Sequence, residues 1–161
     1  MQWQMFIWLA VAGSVGTLAR YALGGVVQQW TGVAWPWGTF IINMLGTLAF
    51  GVVFSLWEGK LVSPEVRMVI LVGFMGAFTT FSSFMYETGA MIRDGEYLMA
   101  AANLLGQNVL GIVCFFGGLM LGKGIQCLVS KAWDERRGCR GRCEGLARST
   151  PARSAGAFED N

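Results

Sequence analysis

Polar side chains are concentrated in one otherwise apolar stretch, residues 73–84, whose sequence is GFMGAFTTFSSF. This stretch holds two glycines, two threonines and two serines. In a bilayer, hydroxyl groups can bond the backbone groups that a helix interruption leaves free, and glycine tolerates the dihedral angles involved. Interrupted helices in the middle of a membrane present free carbonyl and N–H groups to ions. The stretch therefore predicts a transport site at a break in a helix.

Three aromatic residues of the same stretch recur at a regular interval, since Phe78, Phe81 and Phe84 lie three residues apart. On a helix this spacing places the three rings near one face. Phenylalanines inside a membrane ordinarily contact lipid or pack within the helix bundle. In a pore, however, the partially positive edge of each ring can receive an anion. Both interpretations are open from the residues alone.

A second polar group is formed by Thr39, Asn43 and Thr47, which lie four residues apart and share one helical face. A carboxamide that faced hydrocarbon would leave its hydrogen-bonding positions unmet, so Asn43 must face protein or water. The spacing favours a hydrogen bond between helices, which is worth about 0.6–2 kcal/mol. The alternative is that Asn43 donates to a passing anion.

A third polar group contains Asn103 and Gln107, which lie four residues apart, with Gly111 on the same face and Asn108 beside them. Two or three amides on one helical stripe indicate either hydrogen bonding between helices or a water-lined path. The spacing does not decide between these two interpretations.

Arg20 is the one cation within the first apolar segment, on a face whose other members are the small residues Ala12, Gly16 and Gly24. Near a helix end, an arginine can extend its guanidinium to the membrane surface, which the position favours slightly. It can also supply positive potential at the entrance of an anion path. The two roles are compatible.

These residues must be positioned by helices that cross a membrane. The chain is 54% hydrophobic and 14% charged, whereas soluble domains carry about 25% charged residues. Four apolar segments are long enough to cross a hydrocarbon core of about 30 Å as helices. They cover approximately residues 5–27, 38–57, 65–92 and 97–129. The predicted fold is an all-α membrane protein with four transmembrane helices.

Charged residues are concentrated in residues 131–161, which hold seven basic and five acidic side chains. We expect residues 1–130 to form the transmembrane domain and residues 131–161 to form a disordered, Arg-rich tail. Four spans place both termini on one side, and the positive-inside rule assigns that side to the cytoplasm. No basic stripe interleaved with aromatic residues lies outside the spans, which argues against a nucleic-acid partner.

Three motifs together resemble the CrcB/Fluc family of fluoride channels. They are residues 13–21 (GSVGTLARY), residues 38–46 (GTFIINMLG) and residues 73–84, and the resemblance covers roughly residues 5–125. The last two motifs, in this order and spacing, are specific. The resemblance implies a fluoride-selective passive channel that lowers cytoplasmic fluoride, in the lipid of a bacterial inner membrane. It also implies an antiparallel, dual-topology homodimer with two pores.

The resemblance further implies roles for individual residues. Asn43 is expected to donate its amide to the pore, and Phe81 and Phe84 to offer ring edges to fluoride. The third helix is expected to be broken at the midplane, where backbone carbonyls of Gly76 and Thr79 hold a structural sodium ion at the dimer centre. The remaining pore and vestibule residues are expected to be Thr39, Thr80, Ser83, Asn103, Gln107 and, toward the vestibule, Arg20.

This chain departs from the family pattern in two places. On the pore-facing track of the fourth helix the family commonly has Tyr and, four residues later, Ser, where this chain has Asn103 and Gln107. The larger amides are expected to alter conductance or selectivity. The tail after residue 130 also exceeds the usual family length, and its arginines favour one orientation of insertion.

Two other functions are consistent with a four-helix membrane protein. A small multidrug-type proton-coupled exporter needs a carboxylate inside the membrane, and Glu87 is the one candidate within a span. A non-transporting membrane subunit would have an uninterrupted third helix. An enzyme is not expected, because the chain has no histidine, no paired carboxylates and no phosphate-binding loop.

Overall fold

The computed structural model describes the backbone of residues 2–32 and 35–149 and the side chains of residues 3–32 and 35–133. Within these residues the secondary structure is helical, without strands. The helices, in chain order, are α1 (Gln2–Thr31), α2 (Trp37–Glu58), α3 (Pro64–Met68), a π-helix (Val69–Met75), α4 (Gly76–Phe78), α5 (Phe81–Arg93) and α6 (Tyr97–Ser149).

Four segments of the described residues are helical, long and apolar enough to cross a membrane, as the sequence predicted. They are Trp3–Thr31, Trp37–Glu58, Pro64–Arg93 and Tyr97–Trp133. Each exceeds the roughly 20 residues that a helix needs to cross the hydrocarbon core. The protein is therefore an all-α, multi-pass membrane protein. We call Pro64–Arg93 the third span.

The third span changes its backbone conformation along its length. It begins at α3, where the Ser63 side chain accepts a hydrogen bond from the Val66 N–H at 3.3 Å and Pro64 occupies the first turn. Thr79 (φ −79°, ψ 156°) and Thr80 (φ −145°, ψ 109°) have extended dihedral angles between α4 and α5, and we call these two residues the interruption. Helical hydrogen bonding does not serve all backbone groups at such a junction, so other partners must satisfy them.

Small residues allow the helices to pack closely. A Cβ atom at Gly118 of α6 would collide with the Leu48 carbonyl oxygen of α2, and one at Gly16 of α1 would collide with the Phe74 carbonyl oxygen. α1 packs most extensively against the π-helix, then against α2 and α4. Close backbone approach through small residues is typical of membrane helices, which lack a hydrophobic driving force between them.

A cation of α3 lies over two aromatic rings at the end of α2. The Arg67 guanidinium lies 3.8 Å from the centroid of the Trp57 ring and 5.8 Å from that of Phe54. Such a contact at an accessible site contributes about 0.5–1 kcal/mol. We expect Arg67→Gln to lower the free energy of unfolding in detergent by this amount. Lys60→Gln, at a residue without a ring contact among the described residues, is the control, and equal losses would contradict the assignment.

The last helix continues farther than the sequence predicted. α6 is helical to Ser149, although disorder was expected from residue 131 onward. Glu, Arg, Ala and Leu in this segment are good helix formers, which accounts for the difference. Contacts within the chain divide it into the units Met1–Gln126 and Cys127–Asn161. The predicted domain boundary after residue 130 stays a prediction, and residues 150–161 lie outside the described residues.

Candidate functional site

Asn43 of α2 serves as a hydrogen-bond partner for the extended backbone of the third span. Its Oδ1 accepts from the Thr80 N–H at 2.9 Å, and its Nδ2 donates to the Thr80 carbonyl oxygen at 3.2 Å. α2 approaches this part of the third span closely at Gly46, where an added Cβ atom would collide with the Thr79 methyl group. One carboxamide thus satisfies both backbone groups of Thr80 that the interruption leaves without helical partners.

From Asn43 a chain of side-chain hydrogen bonds extends across α6 to α5. Asn43 Nδ2 donates to Gln107 Oε1 at 2.8 Å, and Gln107 Nε2 donates to Asn103 Oδ1 at 3.0 Å. Asn103 Nδ2 donates to Thr88 Oγ1 at 3.0 Å, and Thr88 Oγ1 donates to the Phe84 carbonyl oxygen at 2.8 Å. Asn103 is completely buried and Gln107 is nearly so. Every donor points in the same direction, which polarises the chain cooperatively.

The threonine hydroxyl groups of the interruption bond the ends of the two adjoining helices, α4 and α5. Thr80 Oγ1 accepts from the Ser83 N–H at 3.2 Å and donates to Ser83 Oγ at 3.0 Å. Thr79 Oγ1 donates to the Met75 carbonyl oxygen at 3.0 Å. Threonine is a favoured residue at the position that caps a helix N-terminus. The local sequence therefore accounts for α5 beginning at Phe81.

A cleft of about 210 Å³, which we call the phenylalanine cleft, lies beside the interruption. The Phe81 and Phe84 rings meet edge to face, with centroids 5.8 Å apart and planes at 68°. Phe84 is 4% exposed, whereas Phe81 is 73% exposed on the single chain. None of the seven residues that line the phenylalanine cleft is ionisable. They are Asn43, Thr79, Thr80, Phe81, Phe84, Gln107 and Asn108.

A second cleft of about 470 Å³, which we call the arginine cleft, lies among α1, α2 and α5. Arg20 and Glu87 both line it, and Thr39 Oγ1 donates to Glu87 Oε1 at 2.5 Å. Thr80 and Ser83 also belong to its lining. Thr80 therefore forms part of the wall of both clefts.

The structure brings most of the predicted site residues into these two clefts. Asn43, Phe81, Phe84 and Gln107 share the phenylalanine cleft, together with Thr79 and Thr80. Arg20, Thr39 and Ser83 line the arginine cleft. Asn103 reaches the site through Gln107 without lining either cleft, and Gly76 lines neither. Their roles in ion conduction stay predictions.

Thr88 is the member of the hydrogen-bond chain that sequence reasoning missed. It lies four residues after Phe84, on the buried face of α5 that Phe84, Thr88 and Met91 form. A search for polar residues at this spacing would have identified it. Among the described residues, no group of three or more His, Cys, Asp or Glu side chains is placed to hold a metal ion.

Residues 7–119 match the family described as CrcB-like protein, Camphor Resistance (CrcB). The chain is 50% identical over 120 residues to a fluoride-specific ion channel FluC of Nitrosococcus oceani, a match that covers 74% of this chain and 96% of that protein. A protein of the same name from Maridesulfovibrio salexigens is 46% identical over 119 residues, covering 73% and 94%. Another from Desulforapulum autotrophicum is 48% identical over 119 residues, covering 73% and 95%. Ion channels are transport proteins and not enzymes. The matched segment contains both clefts and the whole hydrogen-bond chain, and the protein belongs to the CrcB-like family.

Proposed function

We propose that this chain is a subunit of a fluoride-selective passive channel that lowers cytoplasmic fluoride in the bacterium. The phenylalanine cleft is the observation that carries the proposal, because it combines ring edges and amides without an ionisable side chain. Fluoride is small and strongly hydrated, so a path must replace its water with hydrogen-bond donors. Partially positive ring edges and amide N–H groups do so without a full charge that would trap the ion. The names of the relatives support fluoride as the anion.

Passive conduction fits the cleft better than proton-coupled export does. An exporter needs a group that binds and releases a proton within the transport path, and the phenylalanine cleft has none. Glu87 lies in the arginine cleft, where Thr39 donates to it. The non-transporting subunit requires an uninterrupted third span, whereas Thr79 and Thr80 have extended dihedral angles.

We place the interruption at the membrane midplane and infer a homodimer around it. Fifteen residues of the third span (64–78) precede Thr79, and thirteen (81–93) follow Thr80, so the interruption is nearly central in Pro64–Arg93. Phe81, although part of the site, is 73% exposed on the single chain. A second copy that covers this ring completes the site. In an antiparallel, dual-topology pair, each of two pores would be lined in this way.

A structural sodium ion is compatible with the residues at the interruption. Hard cations take oxygen ligands, and carbonyls at the end of a helix lack partners within it. Gly76 begins the three-residue α4 and Thr79 directly follows it, and the ψ of 156° at Thr79 turns its carbonyl away from the helical direction. Two carbonyls are too few to surround the ion, so the same pair from a second copy would complete its shell. When bound, the ion would fix two copies at their centre.

The proposed function is tested with the purified full-length protein in liposomes loaded with potassium fluoride. We expect fluoride efflux, measured with a fluoride electrode, to be well above that of loaded vesicles without protein once valinomycin lets potassium leave as the counter-ion. Liposomes loaded with potassium chloride should retain chloride. Equal efflux of the two anions, or no fluoride efflux, would contradict a fluoride channel. Export of a cationic dye driven by a proton gradient would support the exporter instead.

A further inference from the structure

We propose that Gln107, and not Asn43, supplies the amide N–H that contacts the anion beside Phe81 and Phe84. Asn43 is, in this assignment, a positioning residue that holds Gln107 and the Thr80 backbone. The inference rests on the proposed function, since it names the donor within the phenylalanine cleft. It differs from the expectation, drawn from the family resemblance, that the asparagine of α2 is the donor.

The hydrogen bonds of Asn43 leave it no free donor. A carboxamide has two N–H groups, and those of Asn43 serve the Thr80 carbonyl oxygen and Gln107 Oε1. Its oxygen accepts from the Thr80 N–H. An anion that recruited Asn43 would therefore have to displace a backbone hydrogen bond of the interruption or the bond to Gln107. The exchange is unfavourable because it would leave the Thr80 carbonyl oxygen or Gln107 Oε1 without that hydrogen bond.

Gln107 has one donor to spare. Its Nε2 donates once, to Asn103 Oδ1, so its second N–H has no partner among the described residues. Gln107 lines the phenylalanine cleft and is 7% exposed. A buried N–H without a partner is unfavourable in the empty state, and its bond to an ion is strengthened by the low local dielectric. These two properties suit a site that replaces part of the hydration shell of fluoride.

The neighbours of Gln107 also determine which way its amide faces. Its oxygen accepts from Asn43 and its nitrogen donates to Asn103, whose oxygen is available because the Asn103 nitrogen donates to Thr88. If the Gln107 amide were rotated by a half turn, its nitrogen would face the Asn43 nitrogen, and both atoms are donors. Its oxygen would face the Asn103 oxygen, and both atoms are acceptors. The hydrogen-bond chain thus fixes the nitrogen of Gln107 as a donor. A serine hydroxyl at this position could rotate and would not be fixed in this way.

Asn108 is the rival donor in the same cleft. Its Nδ2 donates to the Leu104 carbonyl oxygen of its own helix at 2.6 Å, which also leaves one N–H without a partner among the described residues. Asn108 is exposed on the single chain, however, and takes no part in the hydrogen-bond chain. This amide is held by one local bond and is not oriented by neighbouring helices, so it offers an anion less than the oriented, buried Gln107.

The decisive variant is Gln107→Met, which preserves length and removes both polar atoms. We expect the fluoride current in planar bilayers to fall at least about tenfold, as the loss of a hydrogen bond to a charged partner implies. The concentration of fluoride that gives half-maximal current should rise as well. The same substitution releases one N–H of Asn43. If Asn43 were the donor, the current would stay the same or increase, and this result would overturn the proposal.

A matched control separates the loss of a donor from the loss of packing. Gln126 is another glutamine of α6 that bonds α2, since its Nε2 donates to Ser55 Oγ at 3.2 Å and to the Ser55 carbonyl oxygen. Gln126→Met makes the same chemical change outside both clefts, so the current should equal that of the wild type. Asn108→Leu should reduce the current less than threefold. Loss of current in Asn108→Leu with current retained in Gln107→Met would identify Asn108 as the donor.

A pH profile separates a donor role from a purely structural one. Gln107→Glu keeps the oxygen that accepts from Asn43 but lacks both N–H groups. When deprotonated, the new carboxylate repels fluoride; when protonated, its one O–H donates to Asn103 Oδ1 and leaves no donor for the anion. The current should therefore stay at least about tenfold below that of the wild type at about pH 8 and at about pH 6. Recovery of the wild-type current at the lower pH, where a protonated carboxyl group restores the bonds to both neighbours, would contradict a donor role for this position.

Failure of this inference is distinguishable from failure of the proposed function. If the wild-type protein does not conduct fluoride, the proposed function is wrong. If the wild type conducts and Gln107→Met conducts equally well, the channel stands and the donor assignment is wrong. Should Gln107→Met fail to assemble, judged by its elution volume in gel filtration, the pH profile of Gln107→Glu decides the assignment.

Discussion

Replacing Asn43 with alanine is expected to lower the free energy of unfolding by about 3 kcal/mol or more, because it leaves the Thr80 backbone without partners. Two terms contribute, and they differ in size. The bond to Gln107 joins two side chains of neighbouring helices, and such bonds in membranes average about 0.6 kcal/mol. An unsatisfied backbone group inside a bilayer costs several kcal/mol, and Thr80 would have two. The backbone term therefore dominates.

The measurement is reversible unfolding of the purified protein in detergent, with secondary structure followed by circular dichroism. Asn108→Ala is the control, because among the described residues this exposed amide bonds only the Leu104 carbonyl oxygen of its own helix. Its unfolding free energy should stay within about 0.5 kcal/mol of the wild type. Equal stability of Asn43→Ala and the wild type would show that water or a rearranged backbone satisfies Thr80, and Asn43 would then have no positioning role.

The four spans were predictable because the bilayer imposes a simple physical constraint. A segment that crosses about 30 Å of hydrocarbon must be apolar and must bond its own backbone, so composition and length identify it. The predicted break of the third helix stays a prediction, and it has a related physical reason. Hydroxyl and glycine residues in the middle of an apolar segment, such as Thr79, Thr80 and Gly76, are poorly matched to an uninterrupted helix that faces lipid. The extended dihedral angles occur at two of these residues.

The pairing of the amides was not predictable, because it depends on how each helix is rotated about its axis. Spacing placed Asn103 and Gln107 on one face of α6 and Asn43 on one face of α2. It did not show which atoms would meet, nor that Asn43 would bond the Thr80 backbone and Gln107 together. For Asn43, spacing favoured bonding between helices, and the structure shows such bonds. For Asn103 and Gln107 it left packing and a polar path open, and Gln107 both bonds its neighbours and lines the cleft.

Replacing Phe84 with alanine is expected to remove both stability and fluoride conduction. Phe84 is 4% exposed, and its carbonyl oxygen ends the hydrogen-bond chain from Asn43 through Thr88. Truncating a buried phenylalanine costs about 3–5 kcal/mol, because the loss of transfer free energy is joined by the cost of a cavity. The lost ring is also one wall of the phenylalanine cleft. Unfolding in detergent and fluoride efflux from liposomes should therefore both reveal the change.

Phe81→Ala is the matched comparison, because the two rings meet edge to face but differ in burial. Phe81 is 73% exposed on the single chain, so its own packing contributes little beyond the ring pair, which is worth about 0.5–1.5 kcal/mol. Its loss should nevertheless reduce fluoride efflux about two- to fivefold or more if a ring edge contacts the ion, since weak C–H contacts are worth about 0.5–1 kcal/mol each. The expected pattern is reduced conduction at either ring, with large destabilisation at Phe84 alone. Wild-type efflux in Phe81→Ala would show that this ring faces lipid or packs against a partner without reaching the ion.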